Sequence, residues 1–200
     1  CLVGSEMCIR DRNIAAFIGE PIQGAGGVII PPDSYWPRVQ EICQKNDILL
    51  VVDEVICGFG RTGEWFGSDT YNIKPDIITM AKGISSGYIP LSGIMVGDRV
   101  TETLVDEGGE FYHGYTYSGH PVACAVAIEN IKIIREENLI ENSRKTSVYL
   151  KERMNEIADH PLVGEVTTGC GASTSIVAVA FCFVPKVSTV DVFASVKSWY

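Results

Sequence analysis

The feature that most constrains the fold is an uninterrupted aliphatic segment, residues 48–52 (Ile-Leu-Leu-Val-Val), which ends directly on Asp53. A strand with one face in water alternates apolar and polar residues, whereas this segment has no polar position. Both of its faces should therefore be buried, as they are in the parallel sheets of α/β proteins. Because parallel strands need long crossover connections, which usually contain helices, an all-helical fold and a simple hairpin fold are both disfavoured.

Shorter apolar segments on either side extend this prediction. Residues 14–19, 76–80 and 91–96 each read as a strand that ends in a loop. Between the first two strands, a helix is predicted to start at Asp33 or Ser34, with one apolar face made by Trp36, Val39, Ile42 and Cys43. The order of strands and helices predicts an α/β fold with a mainly parallel sheet and flanking helices.

Two more helices are predicted after the last of these strands. Residues 120–138 form the first, and its first half is almost wholly apolar, so we expect that half to be buried. Residues 139–159 read as a second helix, which is amphipathic and solvated.

Charge and composition narrow the function classes. The formal net charge is −9 and the pI is about 4.8, so nucleic acids and anionic membranes are disfavoured as partners and small-molecule chemistry is favoured. The seven cysteines form no C-x-x-C pair and the three histidines are scattered, so neither a disulfide framework nor a metal site is expected. A reducing cytoplasm suits such cysteines, and we find no apolar segment of the ~20 residues that a membrane helix needs.

The two ends of the chain differ from its body. Residues 1–12 have no strand or helix period, and we expect them to be a non-native leader. After residue 165 the density of charged residues falls abruptly, and a shifted reading frame is our interpretation of residues 166–200. An ordinary β-rich tail is the alternative. Residues 13–165 are then the central part of one large domain.

Asp53 and Lys82 are the main candidates for chemistry, because each follows a predicted strand and precedes a glycine-containing loop. The carboxyl ends of strands in open α/β sheets form the edge where ligands bind. A lysine there can act as an amine nucleophile, and an acid at the neighbouring strand end can hold a cationic ring nitrogen, which is the pattern of pyridoxal phosphate (PLP) sites. An exposed lysine and a helix-capping aspartate remain the alternative.

Two other motifs have features of ligand-binding segments. Residues 58–63 fit G-x-G-x-x-G, the fingerprint of a dinucleotide-binding module, but they do not follow their strand directly, and residues 64–68 do not open an amphipathic helix. Residues 111–121 are rich in hydroxyl groups and end at a predicted helix start, which suits either an anion site or simple helix capping.

Four segments together resemble the class III PLP-dependent aminotransferases and occur in that family's order: residues 19–27, 53–67, 81–88 and 113–121. The resemblance extends over about residues 13–166 and is closest to the ω-amino acid or amine:pyruvate branch. Ala25 and Ile56 support that branch, since ornithine-type members have Glu and Gln there. The resemblance implies the large domain of a fold-type I PLP enzyme, incomplete in this chain.

The resemblance also implies roles for individual residues. Lys82 is similar to the lysine that forms the Schiff base with PLP, and Asp53 to the partner of the pyridine nitrogen. Val55 would pack on the ring face with Ile56 beside it. Thr116 is similar to the phosphate ligand that the neighbouring subunit supplies, so a homodimer is implied. Glu20 would be a further acid near Asp53.

The implied activity is transfer of an amino group from an amine or ω-amino acid to a keto acid such as pyruvate. A diamine or 7,8-diaminopelargonate aminotransferase is the second interpretation, and a non-catalytic dinucleotide-binding module is the third. We expect the 200-residue chain itself to be inactive. No phosphate-binding loop of the family's type lies far upstream of Glu20, and no arginine that could bind a substrate carboxylate follows Arg153.

Overall fold

Strands and helices alternate along most of the described chain. The computed structural model describes residues 14–109, 111–168 and 177–181. The strands are β1 (Ala16–Gly19), β2 (Leu49–Asp53), β3 (Ile77–Met80), β4 (Gly93–Val96), β5 (Val163–Thr168) and β6 (Val177–Phe181). The α-helices are α1 (Tyr35–Lys45), α2 (Gly67–Thr70), α3 (Asp98–Glu102), α4 (Pro121–Glu136) and α5 (Leu139–Glu156). A 3₁₀ turn spans Lys82–Ile84 and a π turn spans Thr103–Glu107.

The main sheet has the strand order β1-β2-β3-β4. β1, β2 and β3 are parallel, and the mainly parallel sheet predicted from the sequence is thereby confirmed. β4 runs antiparallel to β3, with Gly93 opposite Met80.

Helix α1 covers one face of the sheet and forms the core with it. Trp36 and Cys43 are buried on the helix and pack with Leu50 and Val52 of β2. The predicted apolar face of this helix is therefore confirmed. Ser34 is the N-cap residue, but its side chain makes no capping hydrogen bond. The indole Nε1 of Trp36 donates instead to the backbone oxygen of Pro21, at 3.1 Å, which ties the helix to the loop after β1.

The prediction of a buried first half for the helix at residues 120–138 is wrong in part. Ala123 and Ala127 of α4 are buried, whereas the side chains of Val122 and Ile128 are 56% and 68% exposed. The helix contacts the rest of the chain along one stripe, and periodicity alone does not tell how many sides of a helix will be covered. An apolar face of α4 is thus left open on this chain.

The second long helix, α5, agrees with its prediction as an amphipathic, solvated element. Ser147 is its one buried residue, and much of the rest of the helix is exposed. In residues 14–109 and 111–168 and in β6, no helix is both long and apolar enough to cross a bilayer.

The C-terminal described residues form a separate two-stranded antiparallel ladder of β5 and β6. The predicted leader at residues 1–12 and most of the segment 166–200 lie outside the described residues. The division of the chain at residues 12 and 165 therefore stays a prediction.

Candidate functional site

Asp53 and Lys82 lie at the carboxyl ends of two neighbouring strands, at the same edge of the sheet. Asp53 is the last residue of β2 and lies opposite Thr79 of β3. Lys82 follows Thr79 by three residues and begins the turn after β3. Because β2 and β3 are neighbours and parallel, their carboxyl ends bring the acid and the amine to one edge, the location where α/β sheets bind ligands.

The carboxylate of Asp53 is held on one side only. Its Oδ1 accepts hydrogen bonds from the hydroxyl of Thr79, at 3.1 Å, and from the backbone N–H of Val55, at 3.0 Å. Among the described residues, no hydrogen bond is made to Oδ2. The side chain is half-buried. One oxygen thus fixes the rotation of the carboxylate, and the other remains available to a ligand.

Lys82 has an unusual backbone. Its φ is +42°, in the left-handed region that side chains other than Gly, Asn and Asp rarely adopt. The next residue, Gly83, lies against Phe59, and a Cβ at this glycine would be 2.9 Å from the Cβ of Phe59. Non-glycine residues in such a conformation are enriched at functional sites, where the surroundings hold them in place.

Val55 and Ile56 begin the segment that follows β2, and both are partly buried. Ile56 packs closely on Gly24, where an added Cβ would be 2.3 Å from the Cδ1 of Ile56. Gly24 in turn donates its backbone N–H to Oε2 of Glu20, at 2.9 Å. Glu20 therefore shapes the loop that supports Ile56, and no hydrogen bond joins it to Asp53 in the part of the chain that is described.

Glu54 is a buried acid whose partners the sequence did not reveal. Its side chain is fully buried, and its two carboxylate oxygens accept the backbone N–H groups of Gly67, at 2.8 Å, and Ser68, at 2.6 Å. Burial raises the pKa of this carboxyl above its usual value, although the two hydrogen bonds act in the opposite direction. The sequence offers one indication of this acid. Glu54 directly follows Asp53, and successive side chains along a strand point to opposite faces of the sheet.

Cys57 is enclosed in the same region. Its thiol donates to the backbone oxygen of Ile22, at 3.5 Å, and its side chain is fully buried. Burial, reinforced by the charges of Glu54, Glu20 and Asp53, raises the pKa of the thiol to about 12. Cys57 is therefore a neutral packing residue beneath the site.

The glycine-rich loop at residues 58–63 differs from a dinucleotide-binding loop. It leads into α2, which has only four residues, instead of a long helix with a free N-terminus. The backbone oxygen of Gly63 accepts a hydrogen bond from Nη2 of Arg144 on α5, at 2.8 Å, and Glu64 pairs with the same arginine. The loop is thus tied to a neighbouring helix.

Thr116 lies in the exposed turn before α4. The helix itself is capped by His120, whose Nδ1 accepts from the backbone N–H of Ala123, at 3.4 Å. In the described residues, no hydrogen bond brings Thr116 to Asp53 or Lys82. The structure thus joins Asp53 to Val55 and Thr79 by hydrogen bonds and places Lys82 in the turn after the neighbouring strand.

The donor set of this group fits a PLP-type cofactor. A carboxylate oxygen without a hydrogen bond suits a protonated ring nitrogen, and a primary amine lies at the neighbouring strand end. Val55 and Ile56, which follow Asp53 along the chain, are apolar and only partly buried. Among the described residues, no group of His, Cys, Asp and Glu is arranged to hold a metal ion.

Comparison with known proteins places this arrangement in a family. A family model described as aminotransferase class III matches residues 6–180. Putrescine–pyruvate aminotransferase of Pseudomonas aeruginosa is 63% identical over 158 residues, which are 78% of this chain and 34% of that protein. Diaminobutyrate–2-oxoglutarate transaminase of Halomonas elongata is 54% identical over 158 residues, which are 77% of this chain and 34% of that protein.

A solved structure supports the same assignment. An (S)-enantioselective ω-transaminase from Thermomicrobium roseum superimposes with a TM-score of 0.80 and 48% sequence identity, over 90% of this chain and 40% of the other. The chain thus spans about a third of the length of the curated relatives it matches.

Proposed function

This chain belongs to the class III aminotransferases, and from that premise we propose that the complete protein transfers an amino group from an amine or ω-amino acid to a keto acid such as pyruvate. The observation that carries the proposal is the convergence of Asp53 and Lys82 on one edge of the sheet, where Oδ2 of Asp53 accepts no hydrogen bond from any residue that the structure describes. Since the chain covers about a third of its relatives, the activity is that of the complete protein.

PLP is the proposed cofactor, and when bound it supplies an electron sink that stabilises negative charge on the carbon of the amino donor. Lys82 would hold the cofactor covalently through Nζ. The same nitrogen, once free, would act as the base that takes the proton from the donor's carbon and as the acid that gives a proton back. Asp53 would keep the ring nitrogen protonated through Oδ2, and Val55 and Ile56 would make apolar contacts with the ring.

We propose an amine or ω-amino acid as the amino donor. The amine or ω-amino acid class is supported by Ala25, where ornithine-type members have an acid, and by the likeness to an ω-transaminase. A diamine is the second candidate, because the Pseudomonas relative at 63% identity is named for putrescine. Pyruvate is the acceptor in that name, and 2-oxoglutarate is the acceptor in the name of the Halomonas relative.

The proposal includes a homodimer in which Thr116 of one subunit binds the cofactor phosphate of the other. The exposed apolar side chains of Val122 and Ile128 on α4 support this, because that helix directly follows the turn with Thr116. We also place the protein in the cytoplasm, where reducing conditions suit free cysteines such as Cys43, Cys57 and Cys124.

The test compares the complete protein with its Lys82→Ala variant, and Lys74→Ala in an exposed loop serves as the matched control. Each is incubated with PLP, with a panel of monoamines, ω-amino acids and diamines, and with either pyruvate or 2-oxoglutarate. We expect amino transfer by wild type and control, and a loss of about a thousandfold or more in Lys82→Ala, as for other covalent catalytic groups. Undiminished transfer by a folded, pure Lys82→Ala protein would falsify the role of Lys82.

A further inference from the structure

Asn130 reaches from α4 to the turn that carries Lys82. Its Nδ2 donates to the backbone oxygen of Gly83, at 2.9 Å, and to that of Ile84, at 3.1 Å. These are the two carbonyl groups that follow Lys82, and both protons of the amide group are used. The side chain of Asn130 is buried, with 9% of its surface exposed.

The position of Asn130 on α4 indicates that these hydrogen bonds, and not packing, account for the presence of an asparagine there. The buried residues of the helix are Ala123, Ala127, Asn130 and Ile134, which follow the spacing of one helical stripe. Three of them are apolar, and the fourth is an amide. A buried amide is unfavourable unless it is hydrogen-bonded, so a polar residue at this position requires polar partners. The carbonyl groups after Lys82 are those partners.

The turn needs such support because of its backbone. With φ at +42°, Lys82 lies outside the conformations that a lysine prefers, and an unrestrained turn would relax to negative φ. Relaxation would change the direction of the Cα–Cβ bond and move Nζ, four carbons away, beyond the roughly 0.5 Å within which reactive groups must be held. Phe59 limits the turn at Gly83 on one side, and Asn130 holds the carbonyl groups.

We propose that Asn130 is a positioning residue for Lys82: its amide group fixes the left-handed turn and thereby the direction of the lysine. The inference rests on the proposed function, since it assigns Asn130 a role in presenting the amine that holds the cofactor. Asn130 touches neither cofactor nor substrate in this role, and it acts through the main chain of Gly83 and Ile84.

Two substitutions at Asn130 in the complete protein distinguish a role in positioning Lys82 from a role in the stability of the fold. Asn130→Asp has nearly the same size but puts a carboxylate against two carbonyl oxygens. Asn130→Leu removes the donor while placing an apolar residue in an apolar stripe, so it costs less in packing. Asn142→Asp, at an exposed position of α5, is the matched control for the first change.

The first readout needs no cofactor. The cofactor-free protein is treated with limiting acetic anhydride, and mass spectrometry compares acetylation of Lys82 with that of the exposed Lys74 in the same molecule. The second readout is the rate at which PLP becomes fixed to Lys82 by borohydride. Thermal unfolding of each variant is measured in parallel.

We expect both Asn130 variants to show a changed Lys82-to-Lys74 acetylation ratio and about a tenfold slower fixation of PLP, because a hydrogen-bonded pair of this kind contributes on the order of one tenfold factor. Asn142→Asp should match wild type in both readouts. The inference is overturned if folded Asn130→Leu keeps the wild-type ratio and rate, or if the defect appears only in the less stable variant. If wild-type protein itself fixes no PLP at Lys82, the proposed function fails instead.

Discussion

Thr79 and Asp53 lie directly opposite each other on neighbouring parallel strands, and the hydroxyl of Thr79 donates to Oδ1 of Asp53 at 3.1 Å. With the backbone N–H of Val55 on the same oxygen, two donors fix one side of the carboxylate. The residue that orients the acid thus lies on β3, the strand that leads into the turn with Lys82.

Replacing Thr79 by Val removes the hydroxyl at nearly constant shape. We expect about a fivefold weaker affinity for PLP, which corresponds to the ~1 kcal/mol that one such hydrogen bond contributes. Thr79→Ser keeps the donor and should bind nearly as wild type does. Titration of the cofactor-free complete protein with PLP measures both variants. Equal affinity of the Val variant and wild type would show that Val55 alone suffices to orient Asp53.

Gly24→Ala tests the support of Ile56. The new methyl group would lie 2.3 Å from Cδ1 of Ile56, so the isoleucine must move. Overpacking of this kind costs ~1–3 kcal/mol, and we expect weaker PLP binding with a modest loss of stability. Gly93→Ala on β4 is the control, because its added Cβ would make only an ordinary contact, 3.8 Å from Cγ of Met80. The prediction is wrong if both variants bind PLP equally well.

Glu54 gives the fold a predictable pH dependence. Burial raises its pKa in the folded state, so the folded protein holds this proton more tightly than the unfolded chain does. Its contribution to stability is therefore complete below the unfolded pKa of about 4.3 and declines as the pH rises through the folded pKa. Glu54→Gln does not titrate and offers one acceptor oxygen to two N–H groups.

We accordingly expect the advantage of wild type over Glu54→Gln to shrink as the pH is raised from 4 towards 8. Urea unfolding of both proteins across that range gives the difference in the free energy of unfolding, in which the other titrating groups cancel. An advantage that grows with pH would mean that the two hydrogen bonds to Gly67 and Ser68 outweigh burial.

Cys57 should resist alkylation in the native state. A thiol with a pKa of about 12 is ionised to only about one part in ten thousand at pH 8, and its side chain is fully buried. Iodoacetamide at pH 8 should therefore modify the partly exposed Cys124 first and reach Cys57 only when urea unfolds the protein. Peptide mass mapping follows both sites, and comparable rates in native protein would contradict the enclosed position of Cys57.

Part of this architecture could be predicted from the sequence because local patterns encode it. A five-residue aliphatic segment before Asp53 indicates a strand within a parallel sheet, and parallel strands place their carboxyl ends at one edge. The convergence of Asp53 and Lys82 follows from those two facts. The expected burial of both faces is only half met on this chain, because Leu50 and Val52 are buried whereas Leu49 and Val51 are half-buried. The direction of β4 could not be read in the same way, because the apolar pattern of a strand does not specify its orientation.

The supporting residues escaped prediction for a different reason. Glu54 finds its partners 13 and 14 residues away, and Asn130 finds its partners 47 and 46 residues away. Contacts at such separations depend on the packing of whole elements and leave no local spacing to recognise. The exposed face of α4 could not be predicted either. Val122 and Ile128 are apolar like core residues, but they are exposed on this chain.

The left-handed backbone of Lys82 has a consequence for engineering. An L-residue pays ~1–2 kcal/mol for this conformation, whereas glycine adopts it freely. Lys82→Gly should therefore raise the melting temperature of the protein while removing the amine that is proposed to hold the cofactor. Selection for thermal stability alone would therefore favour variants that have lost Lys82 and with it the proposed activity. A screen for stable variants must measure product formation as well as the amount of folded protein.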